Sequence, residues 1–425
     1  MASVLPASFL LGSIYLLSYT LGLSLVLLAI ALLGEKFASK LARFSDPHSP
    51  LKRIIGVIFI ILGLLIALGY EKKLETANLD SGFLDVTKLE NRILKKVDMK
   101  EESAGSNPYK EIVNPSGFIN TDDKPIKIAD YVGEKVILLD VMTYSCINCQ
   151  RTFPYVTSWF EKYKDDGLIV IGIHTPEFAF EKLKSNVERA MKEFGINFPV
   201  IMDNEYGTWN AYGNRYWPRK YLIDIHGNIV YDHIGEGAYE ETEKKIKELL
   251  AERKMVLGEG VTSDIIGGLV SSEIREQKTT ARSPETYFGS LRNEYLGNGI
   301  PGQSGDVTFK LPQDIIPNTL YLDGKWNVTG EHARAQEDSS VVYYYFAKDV
   351  YIVASSDAGA DMEIWQDGKI VTALTGAGSD VNKDGIVNIS ESKLYKIINN
   401  SSAGEHLLQI KIKKGNVDLF AFTFG

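Results

Sequence analysis

The sequence predicts a multidomain chain. A transmembrane helical hairpin comes first, then an α/β domain with a mixed sheet, then an all-β sandwich, jelly-roll-like, over the C-terminal third. Three observations predict it. Two uncharged apolar runs stand near the N-terminus. Strand-like and helix-like runs alternate in the middle. Short runs rich in Val, Ile and Tyr, separated by Gly, Asp and Asn turns, fill the rest. A chain of 425 residues is long enough for two or three domains, and its net charge of -9 carries no nucleic-acid footprint.

The first element is the hairpin, residues 1–70. Phe9 to Leu33 is apolar or small throughout, and Ile54 to Tyr70 is a second uncharged run. Each approaches the roughly 20 residues that span a hydrocarbon core. A signal peptide would carry a basic start and a cleavage site; here the first charge is Glu35 and a second apolar run follows. The connector carries Lys36, Lys40, Arg43, Lys52 and Arg53 against Glu35 and Asp46. The positive-inside rule puts that connector in the cytoplasm. The expectation is a two-pass cell-membrane anchor with everything after Tyr70 extracytoplasmic. Two buried helices of a soluble domain are the alternative.

Residues 71–112 read as a polar extracytoplasmic linker. Over 113–255, strand-like runs are Lys135–Val141, Leu168–His174, Phe198–Met202, Lys220–Asp224 and Asn228–His233. Ile225-His226-Gly227 is a hairpin turn between the last two. Helical runs are Ile147–Lys164, Phe178–Phe194 and Tyr239–Lys254. Alternating strands and helices, then a hairpin and a last helix, follow the thioredoxin order. Residues 256–282 read as a loose joint. The β domain, 283–425, shows strand-like runs at Val341–Phe346, Val350–Ala354, Met362–Trp365, Leu394–Ile398 and His406–Lys411.

Cysteine usage points to the chemistry. There are two cysteines, Cys146 and Cys149, in Tyr144-Ser145-Cys146-Ile147-Asn148-Cys149, between a strand and a helix. That is the thioredoxin context for a C-x-x-C pair. Cys146 falls at a helix N-terminus, where free N–H groups and the dipole favour a thiolate nucleophile. Cys149 would resolve the mixed disulfide. Half of a zinc site, completed by His174 and His233, and a purely structural disulfide are the competing readings. A redox pair with no other cysteine suits an oxidising compartment.

Four residues are expected around the pair. Asp140, on the strand feeding the turn, reads as a buried acid that takes the Cys149 proton. Pro218 reads as a cis-proline facing the pair, with Trp217 before it on the client side. Glu177, in the loop that ends the next strand, reads either as a second acid near the thiols and client or, equally well, as a surface-loop carboxylate. In the β domain, Asp380-Val381-Asn382-Lys383-Asp384-Gly385-Ile386-Val387-Asn388-Ile389-Ser390-Glu391 fits a twelve-residue calcium-loop template. Its ligands would be Asp380, Asn382, Asp384, the Ile386 carbonyl, Asn388 and Glu391. A solvated turn is the alternative. The redox chemistry itself calls for no cofactor, so Ca2+ is the one candidate.

The stretches LLDVMTYSCINCQR from Leu138, HTPEFAFE from His174 and NRYWPRKYLIDIHG from Asn214 resemble the thioredoxin-like domain of DipZ-type proteins. SPETYFG from Ser283, WNVTGE from Trp326 and the closing FAFTFG resemble that family's C-terminal region, which is similar to a carbohydrate-binding module. The hairpin resembles the last two helices of a CcdA/DsbD-like electron-transfer domain. The resemblance implies that Cys146 and Cys149 are the redox pair, Asp140 the buried acid and Pro218 the cis-proline. It implies reduction of disulfides in extracytoplasmic client proteins, of the cytochrome c maturation or disulfide-repair type. A membrane electron donor of CcdA/DsbD type would supply the electrons. Two departures stand out. Thr152 occupies a position where related periplasmic reductases carry Glu, and the chain lacks the membrane cysteines that relay electrons. The alternative from another class is a surface-anchored module that binds a glycan or protein and has secondary redox activity.

Overall fold

The structure is a computed structural model that describes residues 107–122, 124–274, 281–336 and 338–425. The two apolar N-terminal runs lie outside the described residues. Among the described residues, no helix is long and apolar enough to cross a membrane.

The α/β domain is built on a six-stranded sheet. Its strands are β1 (Gly117–Ile119), β2 (Val136–Met142), β3 (Leu168–His174), β4 (Val200–Met202), β5 (Arg219–Ile223) and β6 (Ile229–Ile234). The order across the sheet is β1-β4-β3-β2-β5-β6. β2, β3 and β4 run parallel; β1, β5 and β6 are antiparallel to their neighbours. β2 and β3 are near-continuous apolar runs because both sheet faces are covered. One face of β2 (Val136, Leu138, Met142) packs under α1 (Ile147–Tyr163), α2 (Lys184–Glu193) and α4 (Tyr239–Leu257). The other face (Ile137, Leu139, Val141) packs with Trp209 of the short helix α3 (Gly207–Ala211). The β5–β6 hairpin closes because the Asp224 carboxylate accepts the N–H groups of His226 and Asn228, and Gly227 takes a positive φ of 83°.

Three local readings change. The single helix expected over 178–194 is a 3-10 turn, Ala179–Lys182, followed by α2, because Leu183 between them is extended. Residues 107–112 are not linker: Tyr109 and Ile112 pack on the core, and the Glu111 carboxylate accepts the N–H groups of Ile128 and Ala129. The joint at 256–282 is in part packed. Helix α5 (Ser263–Ile266) buries Ile265, and Ser271 accepts the indole N–H of Trp159 at 2.9 Å. Glu243 accepts the N–H groups of Val270 and Ser271, both at 2.7 Å, and so ties the segment to α4.

The β domain holds β7 (Thr286–Tyr287), β8 (Gly305–Phe309), β9 (Leu320–Val328), β10 (Ala333–Ala335), β11 (Ser340–Ser355), β12 (Ala360–Gln366), β13 (Lys369–Ile370), β14 (Ile386–Ile389), β15 (Lys393–Lys414) and β16 (Val417–Phe424). The expectation was an all-β sandwich, jelly-roll-like; the strands are joined in one hydrogen-bonded sheet whose buried side chains form a shared core. β11 pairs with β9 through Ser340–Tyr343 and with β16 through Val350–Ser355, and β10 links β9 to β16. β11 and β15 are 16 and 22 residues long, so each merges two of the expected shorter strands. A register shift between Ala347 and Asp349 marks where the sequence suggested a break.

Candidate active site

The redox turn joins β2 to α1. Cys146 is the N-cap of α1, extended at φ −81° and ψ 121°, and half-buried. Its carbonyl accepts the first helical bond, from Gln150 N–H at 3.0 Å. Cys149, one turn on, is fully buried. Both cysteines are free thiols. Burial pushes the Cys149 thiol well above its usual range, and the hydrogen bond shared with Cys146 and the nearby Asp140 charge add to that push. The two sulfurs therefore differ in access, and the inner thiol ionises only with help.

Asp140 can give that help. It is fully buried on β2, on the face shared with Leu138 and Met142. Neither of its carboxylate oxygens has a hydrogen-bond partner among the described residues. Burial raises its pKa from 3.8 to about 6, and Lys220 opposes that rise. Lys220 is the residue the sequence reading missed. It lies directly opposite Asp140 on β5, is fully buried, and its ammonium is also without a hydrogen-bond partner among the described residues. Burial pulls Lys220 down, while Asp140, Cys149 and Glu236 push it back up. Its ammonium sits 5.9 Å from the centre of the Tyr239 ring, which stacks on Tyr155 at 3.6 Å. A charged residue two places after a proline inside an apolar strand was the signal for it.

Pro218 follows a cis peptide bond after Trp217, as expected. The Trp217 indole N–H donates to the Thr175 carbonyl at 3.0 Å, and its ring packs on Trp209 at 4.3 Å. Thr152 is buried and donates to the Asn148 carbonyl at 2.9 Å, which leaves Asp140 as the buried acid behind Cys149.

Glu177 is a correction. It does not stand as an acid beside the thiols; it faces the β domain, paired with Arg292 at 2.8 Å and accepting the Tyr287 hydroxyl at 2.9 Å. The acid that serves the turn is Glu181, also missed. It is fully buried and accepts from the Thr143 hydroxyl at 2.5 Å and from the Ser145 hydroxyl and N–H at 2.6 and 3.2 Å. It also accepts the N–H groups of Glu177 and Phe178. Burial raises Glu181 and the Ser145 and Thr143 bonds oppose the rise. Glu181 thus fixes the residue before Cys146.

The two histidines lie in separate settings. His174 is buried against Thr143 and stacked on Tyr144, with its pKa lowered by burial to about 3. His233 lies 3.2 Å from the Glu236 carbonyl.

The calcium template does not gather into a site. Asp380 accepts the Lys396 N–H at 2.9 Å and pairs with Lys393 at 3.3 Å. The Asn382 side chain accepts the N–H groups of Asp384 and Ile386, closing its own turn. Asn388 donates to Asp361 at 2.6 Å, and Glu391 pairs with Arg189 at 3.0 Å across the domain interface. Ile386 and Asn388 belong to strand β14, which pairs with β12. Among the described residues, no group of three or more His, Cys, Asp or Glu stands ready to hold a metal.

The family described as Redoxin matches residues 107–250, and the one described as Thioredoxin like C-terminal domain matches 283–425. Protein DipZ of Mycobacterium tuberculosis (strain CDC 1551 / Oshkosh) is 30% identical over 443 residues, covering 98% of this chain and 60% of that protein. NHL repeat-containing protein 2 of Homo sapiens is 32% identical over 145 residues, covering 34% of this chain and 19% of that protein. Thiol-disulfide oxidoreductase ResA of Halalkalibacterium halodurans is 30% identical over 129 residues, covering 30% of this chain and 69% of that protein. The chain spans 60% of the length of the DipZ proteins it matches.

Proposed function

Because the chain is a DipZ-like protein with a thioredoxin-like domain, we propose that it is a membrane-anchored, extracytoplasmic protein-disulfide oxidoreductase working through Cys146 and Cys149. The observation that carries this reading is the pairing of a half-buried Cys146 at a helix N-terminus with a buried Cys149 backed by Asp140.

The Cys146 thiolate attacks one sulfur of a client disulfide. A new S–S bond forms, and the other client sulfur leaves as a thiolate. Cys149 gives its proton to Asp140 and attacks the Cys146 sulfur, releasing the second client thiol. The client gains two electrons, and Cys146–Cys149 becomes a disulfide. A membrane donor of CcdA/DsbD type then returns two electrons to it. Clients of the cytochrome c maturation or disulfide-repair type fit this direction. The uncharged runs Phe9–Leu33 and Ile54–Tyr70 support the two-pass anchor.

With dithiothreitol as reductant, the protein should speed reduction of insulin disulfides, and Cys146→Ser should abolish the effect. Cys149→Ser should accumulate mixed disulfides. Full activity of the Cys146→Ser protein would refute the reading.

A further inference from the structure

We propose that the cleft between the two domains holds an extended segment of the disulfide-bearing client, with the β domain forming one of its walls. This deepens the oxidoreductase reading and rests on it.

The β domain touches the redox turn itself. Ile147, between the two cysteines, is 7% exposed because it packs in one cluster with Tyr351, Leu394 and Phe420. A cleft of about 810 Å³ begins at Ile147 and runs along α1 past Arg151 and Pro154. Its far wall is Tyr351, Lys393 and Lys396 of the β domain. That volume falls within the range of ligand sites, roughly 300–1,000 Å³.

The wall is held in place. Arg189 of α2 pairs with Glu391, the Tyr144 hydroxyl donates to the Ser392 carbonyl at 3.0 Å, and Phe178 packs on Phe420 at 5.0 Å. The cleft is therefore preformed.

The lining indicates the occupant. It mixes Tyr rings with charges of both signs rather than forming an apolar slot. The Arg151 side chain is 7% exposed, yet its Nε has no hydrogen-bond partner among the described residues, and its pairing with Glu236 is long at 3.6 Å. Arg151 and Glu236 both line the cleft, so charges of both signs are offered to a ligand's polar groups. A polypeptide suits such walls: its backbone offers donors and acceptors along its length, and Tyr and Arg are favoured at protein interfaces. Position agrees. A client joined to Cys146 through sulfur delivers its neighbouring residues to the mouth of the cleft.

The test uses the reduced protein and two probes. One is a dipeptide and the other a long peptide, each carrying thionitrobenzoate on a central cysteine. Cys146 attacks the peptide sulfur, an S–S bond to the peptide forms, and thionitrobenzoate leaves as a coloured thiolate. Ser379→Trp fills the cleft from the exposed β-domain wall, away from the cysteines. Lys396→Glu reverses a wall charge. The wild type should react faster with the long peptide. Either substitution should slow the long peptide by about tenfold, equal to about 1.4 kcal/mol, and leave the dipeptide rate unchanged. A long-peptide rate that ignores both substitutions overturns the cleft proposal while the dipeptide still reports exchange. Loss of both rates together also overturns it, because the wall would then support the redox pair rather than the client. If the wild type reacts with neither probe, the oxidoreductase reading itself fails.

Discussion

Asp140 and Lys220 face each other across adjacent antiparallel strands, both fully buried and neither side chain making a hydrogen bond among the described residues. In the proposed exchange, the pair would tie proton transfer at Cys149 to the interior of the sheet. Each charge moderates the burial of the other.

The first prediction concerns pH and rate. Asp140 accepts the Cys149 proton only when ionised, so turnover should fall on the acid side with a midpoint near 6. Lys220 favours the ionised carboxylate. Lys220→Met should therefore move that midpoint upward and slow turnover at neutral pH. A pH–rate profile of insulin reduction checks both, and an unmoved acid limb would remove Lys220 from the proton path.

Stability should follow the same carboxyl with the opposite benefit. The folded state raises Asp140 above its unfolded value, so folding disfavours the ionised form. The penalty is absent below about pH 4 and complete above about pH 6, where it approaches about 3 kcal/mol. Relative to Asp140→Asn, the wild type should lose stability as pH rises through that window. At neutral pH, Asp140→Asn/Lys220→Met should be more stable than Lys220→Met alone, which strands a buried carboxylate. Denaturant unfolding of the three proteins at several pH values measures this.

Glu181 anchors the turn through five donors, three of them on Thr143 and Ser145. Glu181→Leu leaves those donors buried without their acceptor and should destabilise the protein by about 3–5 kcal/mol. Glu181→Gln should retain most of the stability. Cys146 should become easier to alkylate in the Leu variant, because Ser145 is released. Thermal unfolding with iodoacetamide kinetics reads both effects.

Calcium should do little. The candidate ligands are engaged elsewhere, Glu391 with Arg189 and the Asn382 oxygen with its own loop. Millimolar calcium is expected to leave the thermal midpoint unchanged, whereas a bound ion would raise it by mass action. Arg189→Ala should lower stability slightly without creating a calcium response.

What the sequence determined on its own was local. A C-x-x-C between an apolar strand and a helix located Cys146 and Cys149. The alternation of elements placed β2, β3, β5 and β6 to within about two residues of their bounds, as such patterns allow. Asp140 and Pro218 were legible because each is fixed by its distance along the chain from those elements. The tertiary structure decided what depends on residues far apart in sequence. Strand pairing set Lys220 against Asp140, 80 positions earlier in the numbering. Packing of the 3-10 turn sent Glu181 to Ser145 and left Glu177 to Arg292. The calcium template matched letter by letter, yet its side chains found other partners in the assembled chain, Asn388 on Asp361 and Glu391 on Arg189. Nor does the spacing of Ile147 reveal that the β domain covers it. Periodicity reports which face a residue takes, and only the assembled chain determines what that face meets.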